Sequence, residues 1–380
     1  MTAAFVVATV SAIGVGQAVA GWWVTQRLAA ASAGMGSSSP PTTIGPVTVL
    51  KPLHGDEPML EQKLRSFCDQ DYPAYEVVMG ARDAADAALP FARAVAAAFP
   101  DRARVVVADE ATPHHRNPKI DTLAALVPHA RGDVLVFADS DMRVTPDYLL
   151  ALVEPFSDER VGAATCLYRG VAADDGFASR LGAMANHEHF APSVLVAERL
   201  MGMRFGFGAT IAVRRSVFEA IGGLDALGPH LADDARLCAL VAESGARVVL
   251  STYVVENVVQ EPTFAALWSH ELRWMRTQRA VQPAGFLGIV VTYPVPLALL
   301  HLAVSRKRGT ALAVVGAAAA LRYALAFASA RAFGARMTPM FVPLRDALGL
   351  AEWGASFFSR RVRWSGDALR VAPDGKLGEP

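Results

Sequence analysis

Two aspartates, Asp139 and Asp141, stand one residue apart directly after the apolar run Val134–Ala138. Residues i and i+2 of an extended segment point the same way, so both carboxylates can face one ion. Hard cations such as Mg²⁺ or Mn²⁺ take oxygen ligands and commonly bridge to substrate phosphates. An aspartate-rich turn, or a helix cap before Pro146, would use the same residues. Asp83 follows a second apolar run, Tyr75–Ala81, where a carboxylate could hydrogen-bond a ribose or a base, or could close a surface turn. Lys51 and Pro52 end a third run and open "KPLHGDE", a loop that could pass under a nucleotide. Lys119 stands at the start of a helical pattern behind Asn117 and Pro118. A lysine there opposes the helix dipole, which makes sense where the same terminus holds phosphate. A solvated helix start explains it equally.

Further along, Asp233 and Asp234 start another helix in "HLADDARL". They suit its first turn electrostatically, and a carboxylate there could also serve as a general base. In "SHELRWMRTQR" the residues His270, Arg273 and Trp274 fall at i, i+3 and i+4, one helical face. That face could clamp a pyrophosphate and stack on its ligand, or form a basic interfacial helix.

These groups need a scaffold. The runs Val47–Leu50, Tyr75–Ala81, Ala103–Ala108 and Val134–Ala138 are valine-rich and bounded by polar residues, which predicts buried strands. Helical patterns lie between them at Pro58–Cys68, Pro90–Phe99 and Ile120–Val127. The alternation predicts a mostly parallel sheet covered by helices on both faces, with ligands beyond the carboxyl ends of its strands. Asp83 and the Asp139/Asp141 pair fall on that edge.

The chain has 380 residues, 53% of them hydrophobic, and a mean hydropathy of +0.29, which points to membrane segments. Ala3–Val24 is uncharged and long enough to span, and ends in Trp22, Trp23 and Arg27. No positive charge precedes it, which favours an uncleaved anchor over a signal peptide. Phe286–Val304 is apolar but carries Pro294 and Pro296, predicting a kinked or re-entrant segment. Thr310–Ala330 could span despite Arg322, and Phe341–Phe358 contains Arg345, Asp346 and Glu352, which must pair or face a polar cavity. Two to four spans result. Net charge is zero, but from Leu302 onward twelve Lys/Arg face five Asp/Glu, and the clusters Arg306–Arg308 and Arg360–Arg363 favour a cytoplasmic location. The predicted division is an anchor (1–27), a linker (28–46), a catalytic domain (47–283), membrane or interfacial segments (284–358) and a basic cytosolic tail (359–380). The three scattered cysteines make no zinc spacing, and no basic stripe interleaved with aromatics forms a nucleic-acid groove.

The order Asp83, Asp139/Asp141, Asp234, His270-x-x-Arg273-Trp274 resembles inverting glycosyltransferases of the GT-A fold. The stretches "LKPLHGDEP", "DYPAYEV", "NPKI", "RVTPDYL" and "RW", with the tail "RVRWSGDALRV", resemble glycosyltransferase family 21, the ceramide glucosyltransferase family, over nearly the whole chain. "CLYRG", "PSVLVA", "FGFGAT" and "HELRW" look closer to bacterial members linked to hopanoid lipids. The resemblance implies an α/β, Rossmann-like nucleotide-sugar domain with membrane helices at both ends, in a bacterial inner membrane with the catalytic domain facing the cytoplasm. It implies a UDP-sugar donor and a lipid acceptor, a ceramide or a hopanoid polyol. Lys51, Pro52, Leu53 and Asp83 would hold uridine; Asp139 and Asp141 would hold the divalent cation. Lys119, His270, Arg273 and Trp274 would meet the diphosphate end, and Asp234 would be the base. Gly206 and Gly208 would shape the sugar and acceptor pocket, unless they belong to a plain β-turn. His270 stands where the family usually has Gln or Arg. A processive polysaccharide synthase, a polyprenyl-phosphate glycosyltransferase and an inactive membrane scaffold are the competing expectations.

Overall fold

The computed structural model describes residues 3–33, 44–109, 111–359, 361–364, 367–372 and 375–378. Helix α1 (Ala3–Ala33) leads into β1 (Val47–Pro52), α2 (Leu60–Cys68), β2 (Tyr75–Ala81), α3 (Leu89–Ala98), β3 (Ala103–Val107), α4 (Pro118–Leu126) and β4 (Val134–Phe137). Next come β5 (Met142–Arg143), α5 (Tyr148–Val153), β6 (Val161–Ala172), α6 (Phe177–Ala185), α7 (Ala191–Met201), β7 (Ile211–Arg214), α8 (Arg215–Ala220), α9 (Asp233–Glu243) and β8 (Arg247–Val259). These eight strands form one sheet in the order β3-β2-β1-β4-β7-β6-β8-β5. The apolar runs alternate with the pleat. Val47, Val49, Val134 and Val136 meet one core with α2 and α5, while Leu50, Leu135 and Phe137 meet the other with α4 and α9.

The sheet is mixed rather than mostly parallel. β1, β2, β3 and β4 are parallel, but β7 runs antiparallel to both β4 and β6. The reason lies in the route of the chain. The excursion through α6 and α7 returns at the carboxyl end of β4, where the carbonyl of Gly208 accepts from the Asp139 N–H at 3.2 Å. A strand that starts there can only run back along β4.

Helix α1 continues to Ala33, so the predicted linker begins six residues too early; residues 34–43 lie outside the described residues. Among the described residues two helices are long and apolar enough to cross a membrane, Val7–Leu28 within α1 and α13 (Arg308–Ala332). Between them lie α10 (Phe264–Val281), α11 (Pro283–Gly288) and α12 (Pro294–Val304). The segment Pro283–Thr292 bends by 74° against α12, at the Tyr293–Pro294 step where proline removes a donor. If that bent pair counts as one span, there are three. Trp22 and Trp23 are exposed, with Arg27 4.1 Å over the Trp23 ring.

Helix α14 (Val342–Ala355) carries its charges inward. Arg345 donates to Glu271 at 2.8 Å and to Glu352 at 2.9 Å. Asp346 accepts from Arg322 of α13 at 2.8 Å, and Arg322 reaches Glu188 at 2.9 Å. Glu188 sits in a π-helical turn, Asn186–Phe190, between α6 and α7. The C-terminal segment folds back as a three-stranded antiparallel sheet, β9 (Arg361–Trp364), β10 (Asp367–Val371) and β11 (Leu377–Gly378), rather than trailing as a charged tail. Val362 and Leu377 bury against Leu231, just ahead of α9.

Candidate active site

The end of β4 delivers the first acids. Asp139 is about a third exposed, and its Oδ1 lies 2.8 Å from Nζ of Lys119. Lys119 opens α4, whose start is fixed by Asn117: its side chain accepts from the N–H groups of Lys119 and Ile120 at 2.9 and 3.4 Å, with Pro118 in the first turn. The same ammonium lies 3.2 Å from Asp233. Burial works against its charge, but Asp139, Asp233 and Asp234 outweigh burial and hold it above the ordinary lysine range. Lys119 therefore bridges two acidic pairs that are almost a hundred residues apart in sequence.

Gly208 joins them a second way. Its N–H donates to Asp234 Oδ2 at 2.8 Å, while its carbonyl accepts from Asp139. A Cβ at this position would stand 2.7 Å from Asp139 Oδ2, so only glycine lets the backbone come this close. Burial, then the neighbouring Asp233, pushes the Asp234 carboxyl up to about 6, against the pull of Lys119. Lys119, Phe137, Gly208, Asp233 and Asp234 line a shared pocket.

Asp141 lies deeper. Its Oδ2 accepts from Asn257 Nδ2 at 2.7 Å, and its Oδ1 is buried without a partner among the described residues. Burial, Asp139 and Glu57 push it up to about 6. An orphaned buried carboxylate oxygen beside a second carboxylate fits a hard cation. No group of three His, Cys, Asp or Glu forms a metal cluster among the described residues.

The remaining predicted residues divide. Lys51 is fully buried; it donates to the Asp139 carbonyl and lies 3.8 Å from the Phe67 ring centroid. Burial pulls its ammonium down to about 7, opposed by Asp141 and Asp139. It props the acidic loop from below. Pro52 ends β1, and Leu53 is buried with its N–H on the Gly80 carbonyl at 2.8 Å. Asp83 is exposed on the edge after β2 and accepts from the Ala85 N–H at 2.8 Å, the turn geometry of the simpler expectation. On α10, His270 Nδ1 lies 2.7 Å from Glu261 and its ring 4.4 Å from that of Trp274. Burial lowers the Arg273 guanidinium, and Asp139 and Asp141 oppose that shift. Arg273 makes no side-chain hydrogen bond or ion pair among the described residues, which leaves it free to meet a ligand beside those acids. Nothing in the local pattern singles out Tyr168 or Asn257. Tyr168 lies close enough for Asp234, Asp141 and Asp139 to reinforce the burial that raises its hydroxyl. Asn257 is visible only as a polar break in the valine run of β8.

A parallel half-sheet with carboxylates gathered on its carboxyl edge defines a GT-A-like fold. A mannosyltransferase from Pyrobaculum calidifontis, solved in complex with GDP-Man and Mn²⁺, shares this fold: TM-score 0.53 and 21% identity, covering 93% of this chain and 99% of that one. The chain belongs to glycosyl transferase family 21, whose model matches residues 6–377. It is 23% identical to ceramide glucosyltransferase 1 of Caenorhabditis elegans over 250 residues, 64% of this chain and 52% of that protein. It is 33% identical to the ceramide glucosyltransferase of Komagataella phaffii over 108 residues, 28% of this chain and 21% of that protein. The chain thus matches about half the length of the first relative and a fifth of the second.

Proposed function

We propose that this chain is a membrane-bound inverting glycosyltransferase that moves a hexose, glucose or N-acetylglucosamine, from a UDP-sugar to a hydroxyl of a membrane lipid, a ceramide or a hopanoid polyol. The observation that carries this reading is the Gly208 backbone. It holds Asp139 on one side and Asp234 on the other, as a displacement needs when a leaving diphosphate and an attacking hydroxyl lie on opposite sides of one carbon.

Asp139 and Asp141 would hold Mg²⁺ or Mn²⁺, which when bound supplies Lewis-acid stabilisation of the diphosphate. Lys119 and Arg273 add fixed positive charge where the leaving UDP becomes more anionic. The uridine end falls to Lys51–Leu53 and Asp83, with Lys51 acting from beneath. Asp234 accepts the proton of the acceptor hydroxyl as the oxygen bonds to the anomeric carbon; the bond to UDP breaks, and the configuration inverts. His270 is held by Glu261 and orients Trp274 rather than touching the donor. The lipid hydroxyl lies at the interface and UDP-sugar in the cytosol, so the site sits at that boundary, facing the cytoplasm of a bacterial inner membrane.

Asp234→Asn tests the assignment. Membranes carrying it are incubated with UDP-glucose or UDP-N-acetylglucosamine and each lipid, and products are read by mass spectrometry. Transfer drops by about 10²–10⁴-fold while UDP binding is kept. Normal turnover would remove Asp234 as the base, and a water-soluble product would remove the lipid acceptor.

A further inference from the structure

Asp141 has one oxygen fixed and one free, and the fixed one is the end of a relay. Asn257 of β8 donates its Nδ2 to Asp141 Oδ2 at 2.7 Å. Its Oδ1 accepts in turn from Nδ2 of Asn186 at 3.0 Å. An ionised carboxylate only accepts, so Asn257 must turn its NH₂ toward Asp141. Its carbonyl oxygen then faces Asn186, which must also present NH₂. Each amide orientation forces the next. Both asparagines are buried, at 6% and 1% exposure, where an unpaired amide is costly. The backbone adds to the hold: the Val258 N–H donates to the Asp141 carbonyl at 3.0 Å, and Met142 pairs with Asn257 across β5 and β8.

The relay has an anchor. Asn186 is the first residue of the π-turn Asn186–Phe190. Two residues on, Glu188 binds Arg322 of α13 at 2.9 Å, and the Arg322 guanidinium lies 2.9 Å from His189 Nε2. π-turns place an extra residue in a helix and recur at functional sites. Here the turn aims Asn186 at the sheet and Glu188 at the membrane helix. Metal-ligating side chains are commonly oriented in this way by partners that do not touch the metal.

The geometry points to Asn257 and Asn186 as positioning residues of the cation site: they fix Asp141 Oδ2 so that Oδ1 faces the ion, and they seat this relay on a turn gripped by a membrane helix. The proposal rests on the cation reading of Asp139 and Asp141 given above.

The test uses the full chain in detergent with UDP present, and free Mn²⁺ is followed by electron paramagnetic resonance. Asn257→Ala weakens Mn²⁺ binding by about 10–100-fold. Asn186→Leu, which keeps the γ-branched shape without the amide and leaves Asn257 in place, weakens it less. Because the relay is serial, the double variant is no weaker than Asn257→Ala alone. UDP binding without metal stays at the parent level in all three, which separates a lost cation site from a lost fold. Mn²⁺ affinity within about twofold of the parent for Asn257→Ala, or additive effects of the two substitutions, overturns the relay. Absence of Mn²⁺ binding in the parent itself overturns the cation reading and the relay with it.

Discussion

Gly208→Ala is the sharpest perturbation the site offers. The added methyl would stand 2.7 Å from Asp139 Oδ2 and 3.3 Å from Lys119 Nζ, whereas ordinary contact begins at 3.4 Å. Something must therefore move by 3.4 − 2.7, about 0.7 Å. If the Asp139 carboxylate swings away, it strains its 2.8 Å pair with Lys119. If the backbone retreats instead, the Gly208 N–H leaves Asp234 and the Gly208 carbonyl leaves the Asp139 N–H. Either route displaces one of the two acids that the proposed mechanism needs. A misplacement near 1 Å at a reacting centre costs up to about 100-fold. The expected loss in kcat/KM is then about 10–100-fold, or about 1.4–2.7 kcal/mol of transition-state stabilisation. Asp139 is about a third exposed, so the fold can absorb the shift, and the melting temperature should stay within about 2 °C, since about 1 kcal/mol moves a domain of this size by about 2–4 °C. The assay is transfer from labelled UDP-sugar to the lipid acceptor. Gly316→Ala serves as the control, because a Cβ there meets nothing within 4 Å. Parental kcat/KM in Gly208→Ala, with the fold intact, would show that the two acids are not both at the reacting carbon.

Two other perturbations read different parts of the structure. Asp234 is pushed up to about 6 by burial and by Asp233, and in its proposed role as base it works only when deprotonated. Transfer should therefore rise with pH through about 6 and then level off; Asp233→Asn, which removes the raising neighbour, should move that limb to lower pH, and an unmoved limb in a pH–rate profile would take the titration away from Asp234. Arg345→Met leaves Glu271 and Glu352 buried without their common partner, which should cost about 3–5 kcal/mol; thermal denaturation in detergent should show it, with a smaller loss when Glu271→Gln is added.

The legible parts of this molecule are those encoded over short distances. The switch from Val134–Phe137 to Asp139 and Asp141 reads as a strand ending in a site because period and polarity change within three residues. Asn117-Pro118 announces the start of α4 by local capping chemistry. Phe286–Val304 announces its bend by its prolines. The illegible parts depend on distant partners. Arg345 and Arg322 can be recognised as charges that need pairing, but Glu271 and Glu188 lie 74 and 134 positions away. The reversed direction of β7 follows from where α7 returns the chain, which no local pattern records. The tail reads as basic because of its composition; its three strands depend on Leu231, more than a hundred residues earlier, for their core.

The same distinction explains how the site is assembled. Asp139 follows β4, the last strand of the parallel half of the sheet, while Asp233 and Asp234 begin a helix of the other half. Nothing in the spacing of the two pairs fixes their separation. Two short links do: the Lys119 ammonium, between Asp139 and Asp233, and the Gly208 peptide, between Asp139 and Asp234. The ammonium is a soft link, because a phosphate can compete for it when the donor binds. The peptide is a hard one, set by antiparallel pairing of β4 with β7. In the proposed reaction, donor binding would therefore draw Lys119 toward the diphosphate without changing the spacing between Asp139, proposed on the metal side, and Asp234, the proposed base. A displacement that inverts one carbon between two partners requires that spacing to stay constant while the charges around it change.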